Sequence, residues 1–88
     1  MKIKKNKDAI SEIIENKTYV LNINTGYYIE LNETASELWA SFENHTTLED
    51  LEKYLLNNYD LSSEQAKKDV NFFINDCINN SLVLVIEK

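Results

Sequence analysis

Few side chains in this sequence could do chemistry. His45 is the only histidine and Cys77 the only cysteine. A nucleophile needs a base within hydrogen-bond reach, and a metal ion needs converging ligands. His45 sits in the polar run Glu43-Asn44-His45-Thr46, which suits a solvated turn between helices better than a general base or a ligand. Cys77 falls on an apolar helical stripe, the pattern of a buried structural thiol. Glu49, Asp50 and Glu52 crowd carboxylates together, but no Asp/Gly-rich calcium loop surrounds them, so they form a solvated acidic helix start. A single Gly rules out a phosphate-cradling loop. No active site, metal or cofactor is expected. One stretch offers a different chemistry, that of backbone pairing. Tyr27 to Trp39 reads YYIELNETASELW, a strand-like run that passes through one capping residue into a helix. Such a junction can leave a strand edge open to another chain.

The elements that position this junction follow from periodicity. Ile10, Ile13 and Ile14, then Tyr19 to Leu21 with Ile23, then Tyr27 to Leu31, are rich in β-branched and aromatic residues and predict three strands. Glu15 to Thr18 provides one tight turn. Asn24-Thr25-Gly26 provides another, with the Gly where a positive φ is wanted. In the third strand Tyr27, Ile29 and Leu31 point one way, Tyr28 and Glu30 the other. Asn32 then caps a helix with stripe Ala35, Leu38, Trp39 and Phe42, where Trp39 belongs to the core. Thr47 caps a second, with Asp50 three residues on and Leu48, Leu51 and Leu55 inward. Ser62 or Ser63 opens a third, with stripe Ala66, Val70, Phe73 and Cys77; it ends at Asn79-Asn80-Ser81, where Asn tolerates a left-handed cap. Leu82 to Ile86 is a last short strand. The predicted fold is α+β and winged-helix-turn-helix-like: a three-stranded antiparallel sheet, three helices and a C-terminal strand. No linker or repeat divides the chain, which is expected to be a single domain over residues 1–88.

Composition narrows the partners. Net charge is −6 and the nine basic residues are all Lys, whereas nucleic-acid binders need a cationic footprint and favour Arg. The basic start MKIKKNKDAI is followed by no apolar signal core, and no apolar run is long enough to span a bilayer. The expectation is a cytoplasmic protein with neither a nucleic-acid nor a membrane partner.

The run Gly26 to Trp39, with its Leu31-Asn32-Glu33-Thr34-Ala35 centre, resembles the signature of PqqD-like proteins. These are peptide-recognition domains of pathways that make ribosomally synthesised, post-translationally modified peptides. Thr47 to Leu51, Asp69-Val70, Phe73-Ile74 and Leu82-Val83 fit the same pattern, and the resemblance covers about Ile14 to Val85. Ser81 departs from it, since the family often has Gly there. The resemblance implies a non-catalytic adaptor: a precursor's leader segment adds as a strand to Tyr27–Leu31, in the groove beside the third helix. The adaptor then presents the precursor to a modifying enzyme or leader protease, as in lasso-peptide pathways. Tyr27, Tyr28, Ile29, Glu30 and Leu31 would be the receiving strand. Glu30 would either blunt the edge or meet a basic leader residue, and Tyr28 would contact the leader or face solvent. The third helix would supply the other wall through the flank Lys67, Asn71, Ile74 and Ile78, with Ile74 and Ile78 lining an apolar pocket or else completing the core. Phe72, nearly opposite the core stripe, would be exposed and is a candidate enzyme contact. Two rival readings stand beside this one: a winged-helix DNA-binding regulator and a structural subunit that self-associates through its open edge.

Overall fold

The computed structural model describes residues 1–87. Six strands and three helices follow in the order β1 (Lys2–Lys5), β2 (Ala9–Ile14), β3 (Lys17–Asn22), β4 (Tyr28–Leu31), α1 (Glu33–Ala40), β5 (His45–Thr47), α2 (Leu48–Asn58), α3 (Ser63–Asn79) and β6 (Val83–Glu87). The expected α+β, winged-helix-like arrangement is present, with more sheet than the periodicity predicted. One antiparallel sheet has the order β2-β3-β4 and a second the order β5-β1-β6.

The second sheet adds a strand that the periodicity did not show and corrects one expectation. The basic start is a strand, because Ile3 is completely buried between lysines that turn outward. His45 lies not in a turn but on β5, paired with Lys4, and it is exposed. β1 is the central strand here, with β5 on one side and β6 on the other.

The first sheet is built by two turns. Ile14 pairs with Lys17, so the β2–β3 loop is only Glu15-Asn16. Both residues have positive φ, 51° and 68°, as a type I′ hairpin turn requires. Between β3 and β4, Gly26 has φ 80°, and the Asn22 carboxamide oxygen accepts from the Asn24 and Thr25 N–H groups. Only part of this sheet meets the core. Val20 and Leu31 are buried and Ile29 packs partly, whereas Ile10, Ile13 and Ile14 of β2 are all exposed. The far side of the hairpin therefore stands out from the body as a wing.

All three helices start as predicted. Side-chain oxygens of Asn32, Thr47 and Ser62 accept from the N–H groups of Ala35, Asp50 and Gln65. The core joins Leu38 and Trp39 of α1, Leu51 and Leu55 of α2, and Ala66, Val70, Phe73, Ile74 and Cys77 of α3 to Ile3, Val20, Leu31, Leu82 and Val83. Each fully buried aliphatic side chain contributes about 1.5–3 kcal/mol to holding these layers. The end of α3 differs from expectation. Asn80 is not left-handed (φ −103°); Ser81 is, at φ 59°. The Ser81 N–H donates to the Ile78 carbonyl and the Leu82 N–H to the Cys77 carbonyl, the paired bonds of a Schellman motif. The Ser81 carbonyl then accepts from the carboxamides of both Asn6 and Asn22, at 2.9 and 2.7 Å. That oxygen ties α3 to the first loop and to β3.

Candidate binding groove

β4 is the outermost strand of its sheet, paired on one side with β3. The Asn22 N–H donates to the Tyr27 carbonyl at 2.8 Å, so the Tyr27 carbonyl faces β3. Backbone groups alternate sides along a strand, so those of Ile29 and Leu31 also face β3. The N–H and C=O groups of Tyr28 and Glu30 then point outward, away from β3. Side chains alternate as well. Ile29 and Leu31 turn to the core, while Tyr28, 66% exposed, lies on the sheet's outer face over an apolar hollow with Ile10, Ile14, Tyr19 and Leu21. Tyr28 thus offers its backbone to the edge and its ring to the outer face. Tyr27 precedes the strand; its N–H donates to Thr25 Oγ1.

A groove runs between this edge and α3. Its floor and near wall are Glu30, Leu31, Asn32, Thr34 and Ala35, and its far wall is Asp69, Phe72, Phe73 and Asp76. The strand-to-helix junction builds the near wall directly. Leu31 anchors the strand in the core, Asn32 caps α1, and the Ser36 hydroxyl donates to the Leu31 carbonyl at 3.3 Å. The chain therefore turns away before it can cover the outer edge of β4.

The far wall lies on the other side of the helix from the expected flank. Two positions along a helix rotate a side chain by about 200°. Asp69 faces the groove, so Lys67 and Asn71 point to the opposite side, where both are exposed. Ile78 shares their flank and packs partly against the core. Ile74 is 2% exposed and completes the core, the second of its two expected roles. Phe72 is exposed as expected, at 71%, but it belongs to the groove wall. Asp69, Phe73, Asp76 and Ala35 also line this groove, and the sequence signal nearest to them is Phe72, an aromatic on an otherwise polar flank.

Electrostatically the groove is one-sided. Glu30, Asp69 and Asp76 border it, and among the described residues no lysine lines it. The one ion pair among the described residues, Lys17 with Glu30 at 3.9 Å, joins two exposed side chains and is weak. Asp69 accepts from Gln65 Nε2 on its own helix at 2.9 Å. The polar face of α3 sets Lys67 and Lys68 against Glu64, Asp69 and Asp76, so it presents no cationic surface for a phosphate backbone.

Elsewhere the reactive groups are quiet. Burial, with the nearby Asp76 charge adding to it, pushes the Cys77 thiol up to about 12, so it is neutral and inert at physiological pH. Among the described residues no three His, Cys, Asp or Glu side chains come together in a metal-ligating group, and no helix is long and apolar enough to cross a membrane.

Comparison with known proteins bears on the family and the fold. The family model "Coenzyme PQQ synthesis protein D (PqqD)" matches residues 17–83. No curated protein matches the sequence. Among solved structures, TbiB1 in complex with the TbiA(beta) leader peptide is similar with a TM-score of 0.82 at 20% identity, covering 97% of this chain and 99% of that one. Lasso peptide synthetase B1 complexed with its leader peptide is similar with a TM-score of 0.75 at 16% identity, covering 94% and 98%. At such identities the likeness is one of fold.

Proposed function

The chain belongs to the PqqD family, and from that premise we propose that it is a non-catalytic leader-peptide recognition protein. A precursor's leader segment adds as a further strand to the outer edge of β4, and the adaptor presents the rest of the precursor to a modifying enzyme or leader protease. The observation that carries this is the unpaired edge at Tyr28 and Glu30 beside a groove that α3 walls with Phe72 and Phe73. Main-chain groups there can bind any extended peptide, and side chains at alternate positions select among peptides. Two structural neighbours are themselves bound to leader peptides, which favours the lasso class among modified-peptide pathways. An adaptor of this kind works by raising the local concentration of substrate at its enzyme. On this proposal the chain acts as one recognition domain in the cytoplasm, where precursor peptides are made.

The test uses the direction of the Glu30 amide. Glu30→Pro removes an outward-facing donor and leaves the β3–β4 ladder intact, whereas Glu30→Gln keeps the donor and removes only charge. Titrated with leader segments of precursors encoded beside its gene, the Pro variant should bind about tenfold or more weakly than the Gln variant. Its amide spectrum away from β4 should be unchanged. Equal affinity of the two variants would sink strand addition at this edge.

A further inference from the structure

Resting on the proposal that a leader strand occupies this groove, we infer that the cognate segment carries a Lys or Arg two positions from an apolar residue, both facing α3. The far wall repeats its chemistry along the helix: Asp69, then Phe72 and Phe73, then Asp76. Seven residues of helix separate the two aspartates by about 10 Å. Side chains on one face of an added strand recur every 6.7 Å or so. An apolar side chain lying over Phe72 therefore brings its neighbours at i±2 within reach of one aspartate or the other. Phe72 is largely exposed, and a bound apolar residue would remove its ring from water. Among the described residues neither aspartate has a lysine partner, and both are half-buried. An acidic side chain at the same leader position would meet two like charges, with Glu30 close by, so the wall excludes as well as attracts. The net charge of −6 acts in the same sense, drawing a basic segment toward the groove at low ionic strength.

The experiment is fluorescence anisotropy at low and high salt, with labelled segments of precursor peptides encoded beside the gene. Each segment is used as encoded and with single Lys or Arg residues changed to Gln. The protein is wild type or the double variant Asp69→Asn with Asp76→Asn, each checked for an unchanged amide spectrum. Changing the inward basic residue should weaken binding by about twofold to fivefold at low salt. The double variant should lose a similar factor and part of its salt dependence, and the two changes together should cost no more than either alone. If the double variant binds with full affinity while Glu30→Pro fails to bind, the adaptor reading stands and the charge inference falls. If no segment binds the wild-type protein, the adaptor reading falls and takes this inference with it.

Discussion

Lys5 shows how much one side chain can hold. Its ammonium donates to the carbonyls of Trp39 and Phe42, both at 2.7 Å, and lies 4.3 and 4.6 Å from the centres of the same two residues' rings. The end of α1 has no basic residue of its own, so a lysine distant in sequence supplies the positive charge that a helix C-terminus favours. Burial pulls the Lys5 pKa below its ordinary 10.5, and the field of Glu43 partly restores it. Lys5→Met keeps the stem and deletes the donors. It should destabilise the chain by about 1–3 kcal/mol through the two abandoned carbonyls. Since each kcal/mol moves the melting temperature of so small a domain by roughly 4–8 °C, thermal unfolding followed by circular dichroism would register the change. An unaltered melting temperature would show that water satisfies those carbonyls equally well. Nothing in the local sequence announces this role, because the contact joins residues more than thirty positions apart.

Helix and strand boundaries were legible where a local rule fixes them and illegible where only packing does. Asn32, Thr47 and Ser62 are caps by chemistry alone, and Gly26 marks its turn because a positive φ suits it. β1 carries one buried residue, Ile3, too little for any periodicity, and β5 is three residues long and shares Thr47 with the cap of α2. The groove-facing side of α3 was hidden for another reason. The two flanks of an apolar stripe are equivalent until the handedness of packing is known, so the sequence alone does not say whether the flank of Lys67 or that of Asp69 faces the strand edge. Tyr28 to Leu31, set by the local junction, needed no such knowledge. The Schellman end of α3 yields a prediction on this scale. A non-Gly residue at φ 59° costs about 1–2 kcal/mol, and Ser81 bonds through its backbone. Ser81→Gly should therefore keep both carboxamide contacts and raise stability by about 0.5–1 kcal/mol once the extra freedom of unfolded Gly is counted. A lower urea midpoint for the variant would mean that the serine side chain contributes more than its strain removes.

Over the whole molecule, Cys77 reports whether the core is closed. It is completely buried, and its thiol is raised from the ordinary 9.0 to about 12. The folded chain thus keeps a proton that the unfolded chain releases at lower pH. The corresponding stability is fully present below pH 9.0 and is lost as pH rises toward 12. Two measurements check this. Unfolding midpoints should fall between those pH values, and fall less in Cys77→Ala when each is referred to its own neutral-pH value. At neutral pH, labelling by a thiol reagent should follow the population of unfolded chains; rapid labelling under native conditions would mean that the core opens locally at α3. The pairing of β1 with β6 carries a consequence for the order of events during synthesis. The ribosome delivers β1 first, and its second neighbour only after every other described element has emerged. The β2–β3–β4 hairpins involve near neighbours in sequence and can form early, whereas the sheet around Ile3 must close the longest loop in the chain. The edge proposed to receive the leader can thus take shape on a nascent chain whose N-terminal strand still waits for its final partner.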